Sequence, residues 1–127
     1  MNKEKFLALG IALAVAVGSS SAFAGGPDAK KGGEEFKKKC KLCHEVAQGA
    51  KPKVGPTLFG IVGAKAGATG FEKYEALKGS DVTWDDANLD KWLTDPKAFT
   101  GKATKMTAKT AKPEDRADLI AYLKTLK

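Results

Sequence analysis

Apolar positions along the chain fall into distinct regimes. MNKEKF is charged, LALGIALAVAVG is unbroken apolar, and the run closes on Ala22-Phe23-Ala24. A charged start, a short apolar centre and a small-x-small close predict a secretory leader over 1–24, cleaved after Ala24. The apolar run is short for a spanning helix and no stop-transfer pattern follows it, so a retained anchor is the alternative. Beyond it, Gly32, Phe36 and Cys40 recur at four-residue spacing on one face. With Asp28 as N-cap, they predict a helix over 28–42.

KPEDRADLIAYLKTLK carries the clearest helical period. Pro113 suits its first position, acidic residues follow, and lysines close it. Leu119, Ile120, Tyr122, Leu123 and Leu126 form its apolar face. Gly32 inside the first helix costs stability unless another helix approaches closely there. Leu119 and Tyr122 are therefore expected against Gly32 and Phe36, where the terminal helices cross. DDANLDKWLTDP predicts a third helix from about Asp86 to Thr94, stopped ahead of Pro96, with Leu89, Trp92 and Leu93 inward. A weaker short helix is expected over Phe71–Leu77. Strand signals are poor, and the class is all-α. The glycine- and alanine-rich stretch 45–70 is too long for a loop in an ordinary domain, unless it covers something.

The 127 residues leave room for one domain, over 25–127. Nearly all of the +7 charge lies beyond the leader, which holds only Lys3, Glu4 and Lys5. A basic surface suits nucleic acid, an anionic membrane or an acidic protein partner. Export disfavours nucleic acid, and no further apolar run reaches membrane length, so a soluble periplasmic product is expected.

Two cysteines in an exported chain suggest a disulfide, but here they stand in Cys40-Lys41-Leu42-Cys43-His44. That is the C-x-x-C-H attachment sequence for c-type haem. One turn of chain sets two thiols beside two vinyl groups and brings the following imidazole under the iron. A thioredoxin-type pair needs a thiolate at a helix N-terminus after a strand, whereas a lysine-rich helical run precedes Cys40. A zinc site needs more ligands, and His44 is the only histidine.

A low-spin electron-carrying haem needs a second strong axial ligand, usually histidine or methionine. Met106 is the only methionine beyond the leader, set in the polar loop TGKATKMTAK with no helical stripe around it. Ligation explains a thioether there better than core filling does. It favours ferrous iron and leaves no vacancy for oxygen. Phe36, Leu58, Phe59, Val82, Trp84, Trp92, Leu93 and Leu123 are candidates to pack on the porphyrin. At ~25 cal/mol per Å² their contact contributes several kcal/mol.

CKLCHEVAQGAKPKVGPTLFGIVG, GFEKY, DVTWDD, LDKWLTDP, TKM and EDRADLIAYLK together resemble class I cytochrome c, close to its mitochondrial and bacterial c2-type members. The resemblance implies crossed N- and C-terminal helices around one covalently bound haem c, with long covering loops. It implies thioether bonds at Cys40 and Cys43, with His44 and Met106 as axial ligands. Pro56 resembles the residue whose carbonyl accepts the His44 Nδ1 hydrogen, Trp84 the tryptophan bonded to a haem propionate, and Thr104 the threonine beside the methionine ligand. Trp92 stands where many members carry a tyrosine near the methionine sulfur. Ala64 replaces an arginine near the propionates, Ala108 replaces an aromatic at the haem edge, Tyr74 is shifted by one, and the methionine loop is one residue longer.

The implied function is one-electron shuttling between redox complexes by a carrier, not an enzyme. Lys37, Lys39, Lys41, Lys51, Lys53, Lys97, Lys102, Lys105 and Lys109 are candidates to steer a monomer toward acidic docking surfaces. The default partners are a cytochrome bc1-type reductase and a terminal oxidase; a periplasmic dehydrogenase is also compatible, and membrane contact is at most peripheral. If Met106 leaves the iron readily, a peroxidase-like or ligand-sensing haem is the alternative.

Overall fold

Four helices and their connecting loops make up the computed structural model, which describes residues 25–127. The expected leader lies outside the described residues. Helix α1 spans Ala29–Lys39, α2 Asp86–Thr94, α3 Pro96–Thr100 and α4 Pro113–Lys124. An isolated antiparallel bridge joins Lys65 to Thr83 and is the sole strand-like pairing among the described residues. No described helix is long and apolar enough to cross a membrane.

Local chemistry accounts for most helix ends. The Asp28 carboxylate accepts from the N–H groups of Lys30 and Lys31 at 2.9 and 3.2 Å, capping α1. Asp85 caps α2 through Asn88 N–H at 2.8 Å. Pro96 ends α2 and also opens α3, because its ring fixes a helical φ and its absent N–H is needed by neither helix. Asp95 caps this extra turn through Ala98 N–H at 3.1 Å. Gly101, at φ +67°, closes it.

Helices α1 and α4 cross as expected. A Cβ on Gly32 would lie 1.9 Å from the Asp118 carbonyl oxygen and 2.8 Å from the Tyr122 Cβ. Phe36 packs on Tyr122 with ring centroids 5.5 Å apart. Asp28 N–H donates to the Asp118 carboxylate at 2.7 Å, tying the start of α1 to α4. Phe36, Leu119, Ile120 and Leu123 join Leu89 and Leu93 of α2 in the core.

Two helical expectations change. Helix α1 ends at Lys39, not at residue 42. The N–H groups of Cys40 and Lys41 both go to the Phe36 carbonyl, and those of Cys43 and His44 both go to the Cys40 carbonyl. The chain thus leaves the helix in a tight turn. Phe71–Leu77 forms consecutive turns and no helix. Gly70 and Gly79 bound it with φ of +72° and +70°. So short a segment, with glycine where a cap is needed, does not repay the cost of nucleating a helix. Phe71 and Tyr74 instead meet edge to face at 5.2 Å, and the Tyr74 hydroxyl pairs with Thr69 Oγ1 at 2.6 Å.

The long 45–70 stretch is pinned by backbone hydrogen bonds. Leu58 N–H donates to Glu45 O, Gly60 N–H to Leu126 O, Gly63 N–H to Trp84 O, and Ala66 N–H to Val82 O. These bonds hold it over one side of a cavity.

Candidate haem site

The cavity, of about 250 Å³, opens between α1, α2, α4 and the loops, and its wall is largely apolar. Cys40, Cys43, His44, Pro56, Trp84, Trp92, Thr104 and Met106 all line it, so the structure gathers every predicted site residue around one space. Phe36, Leu58, Leu93 and Leu123 line it as well. Phe59 and Val82 do not. Val82 is tied at the 65–83 bridge and packs on the core, and Phe59 lies half-buried beside Leu58.

The turn after α1 presents both thiols on the cavity wall, and neither is in a disulfide. Burial pushes the Cys40 thiol up to about 11. A group held as a thiol is the opposite of the activated thiolate that disulfide exchange requires.

His44 is buried, and its Nδ1–H donates to the Pro56 carbonyl at 2.7 Å. Burial lowers its pKa below the usual imidazole value, with the Pro56 bond opposing. Burial thus favours the neutral ring, and with the hydrogen on Nδ1 facing Pro56 the lone pair lies on Nε2. A Cβ at Gly55 would stand 2.5 Å from His44 Cε1 and 2.9 Å from Nδ1. Only glycine leaves room for the ring. This residue escaped the sequence reading, although VGPTL was marked for its proline.

Loop 101–112 carries Met106, half-buried on the cavity wall. Thr104 Oγ1 donates to the Met106 carbonyl at 2.7 Å, so Thr104 shapes the backbone that presents the thioether. Trp84, 5% exposed, stacks on Phe99 at 5.9 Å and meets Trp92 edge-on at 5.4 Å. Phe99 sits in α3, which the sequence reading missed, and it backs both tryptophans without lining the cavity.

The donor set fits a c-type haem. A neutral imidazole with a free nitrogen and a soft thioether share one apolar space, and two unpaired thiols stand beside the imidazole.

The family model described as Cytochrome c matches residues 29–127. Cytochrome c2 of Rhodomicrobium vannielii is 44% identical over 126 residues, covering 98% of this chain and 97% of that protein. Cytochrome c2 of Rhodospirillum rubrum is 41% identical, with 98% and 99% covered. The solved structure of cytochrome c2 from Rhodospirillum centenum superposes with a TM-score of 0.72 at 32% identity, covering 79% of this chain and 98% of that one.

Proposed function

The chain belongs to the cytochrome c family, with one covalently attached haem c, and from that premise we propose that it is an exported, soluble one-electron carrier. Cys40 and Cys43 fit the family's attachment motif. His44 and Met106 are assigned as the axial ligands. The observation that carries this reading is the meeting of His44, already oriented through Pro56, with Met106 in one apolar cavity.

When bound, the haem supplies a ferric/ferrous couple that passes single electrons without making or breaking bonds in a substrate. The protein's residues do the rest. The Pro56 carbonyl fixes the tautomer of His44 and strengthens its donor nitrogen. Trp84, Trp92, Leu93 and Leu123 keep the site dry, and the Met106 thioether raises the potential relative to a second imidazole.

Partner choice is assigned to the lysines. Lys39 is engaged with Glu35 and Asp115, Lys53 with Glu45, Lys105 with Glu75 and Lys109 with Asp95. Lys37, Lys41, Lys51, Lys97 and Lys102 are exposed and available to steer an acidic redox partner. Leu42 is 87% exposed and Val54 63%, which supplies apolar contact beside the cavity for a short-lived docked complex. A bc1-type reductase and a terminal oxidase, or a periplasmic dehydrogenase, remain the proposed partners of a monomer.

Met106 is only half-buried, and no helix lies between Gly101 and Lys112. Those observations favour one second reading, in which the iron opens and the protein serves as a peroxidase-like or ligand-sensing haem. Purified holoprotein decides between them. Intact mass gives leader cleavage and haem attachment. The weak far-red absorption that the family resemblance attaches to sulfur-ligated ferric iron is expected in the native chain and lost in Met106→Ala. A native protein without that band would overturn the carrier reading in favour of the open haem.

A further inference from the structure

Arg116 is 9% exposed, yet the carrier reading gives it no role. It rises from the first turns of α4. Its Nε–H donates to the Asp90 carboxylate of α2 at 2.6 Å, and its Nη1 donates to the carbonyls of Thr110 and Ala111 at 3.0 and 2.8 Å. Thr110 is itself buried, and its N–H donates to the Leu93 carbonyl at 2.7 Å. One guanidinium therefore fastens the end of the Met106 loop to two helices at once.

We propose that Arg116, held by Asp90, is a positioning residue that sets how often the Met106 loop leaves the cavity. The proposal rests on Met106 being the distal ligand. Other ties on this loop are weaker in kind. Lys105 meets Glu75 at 3.2 Å and Lys109 meets Asp95 at 2.8 Å, but both lysine side chains are more than half exposed, and such pairs contribute little. Arg116 differs because its side chain is 11% exposed and three of its bonds are charge-assisted. Opening the loop strips two carbonyls from a buried cation, which is far more costly than parting a surface pair. Asp90 acts at one remove. It neutralises and aims the guanidinium from α2, the helix that also carries Trp92 and Leu93 of the cavity wall.

Imidazole binding to the ferric holoprotein reads loop opening directly, because the added ligand competes only when Met106 is away. Its apparent affinity scales with the open fraction. Arg116→Gln is expected to raise that affinity by ~10- to 100-fold while the far-red band persists without imidazole. Asp90→Asn is expected to move it the same way by a smaller factor, and it serves if Arg116→Gln fails to fold. Guanidinium unfolding followed by circular dichroism is measured alongside. Substituting a residue that merely stabilises the whole fold would lower that midpoint and leave imidazole affinity within twofold of the native value. This outcome in Asp90→Asn and any folded Arg116 variant would overturn the proposal. If the native protein lacks the far-red band, or Met106→Ala leaves it unchanged, the ligand assignment fails first and the clamp falls with it.

Discussion

Gly55 stands so close to His44 that a methyl group there would lie 2.5 Å from the imidazole Cε1 and 2.9 Å from Nδ1. The backbone of Gly55 does not take a left-handed φ, so space alone makes glycine necessary. Gly55→Ala is expected to rotate the ring off the Pro56 carbonyl. With His44 as the proposed axial ligand, losing that bond would make the imidazole a poorer donor to ferric iron, so the reduction potential should rise. Overpacking should also cost about 1–3 kcal/mol of stability. Redox titration and guanidinium unfolding of the holoprotein check both; no change in either would mean the ring shifts freely.

The helix crossing makes a harsher demand at Gly32. The atom that a Cβ would meet at 1.9 Å is the Asp118 carbonyl, part of a helix backbone that cannot swing aside. Gly32→Ala should force α1 and α4 apart and destabilise the protein by about 3 kcal/mol, the upper end for overpacking. Alanine's better helix propensity returns no more than about 1 kcal/mol. A variant as stable as the native chain in denaturant melts would show that the crossing is more pliant than these distances imply.

Asp95 gives a pH signature. Lys109 first, and then the Ala98 N–H, hold its carboxyl below the usual carboxylate value. A carboxylate depressed by folding contributes stability that is complete above its unfolded pKa, ~3.9, and is lost as pH falls through the lower folded value. Asp95→Asn keeps an acceptor for the α3 cap and removes the charge. Its melting temperature should lie slightly below native at neutral pH, with the gap closing below about pH 4 and narrowing in high salt. A gap unchanged down to strongly acidic pH would place its cause outside the ion pair.

Removal of the haem should unfold most of the chain. The cavity lies between α1, α2, α4 and the loops, with core residues Phe36, Trp84, Leu93, Leu119 and Leu123 on its wall. Without a filling, an apolar cavity stands in the middle of this core, and the contacts its wall would make with the haem are lost. Far-UV circular dichroism of apoprotein should show little helix and no cooperative melt. Apoprotein with native-like helicity would contradict this.

Much of the fold was legible because its signals are local. Asp28 and Pro113 each mark a helix start with their own backbone chemistry, and Pro96 marks a stop. Gly32 could be read as a crossing point because an uncompensated glycine inside a helix needs a reason. Local signals also misled. Phe71, Tyr74 and Leu77 mimic a helical face, yet they line the cavity from successive turns. Pro96 hid α3, since a proline that ends one helix does not announce that it begins another.

At the site, Cys40, Cys43 and His44 stood out by spacing and Met106 by scarcity, and all four line one cavity. Gly55, Phe99 and Arg116 did not stand out, because each matters through a partner distant in sequence. Arg116 reads as an ordinary charge on the polar face of α4 until Asp90, Thr110 and Ala111 come to surround it.

The bond from Asp28 N–H to the Asp118 carboxylate joins positions 90 apart. Drawing such distant points together carries a chain-closure penalty, which the α1–α4 contact helps to offset. With α4 undocked, the Cys40–His44 turn would stand at the end of an ungripped helix. The crossing of α1 and α4 thus ties the turn that carries both cysteines to the last helix of the described chain.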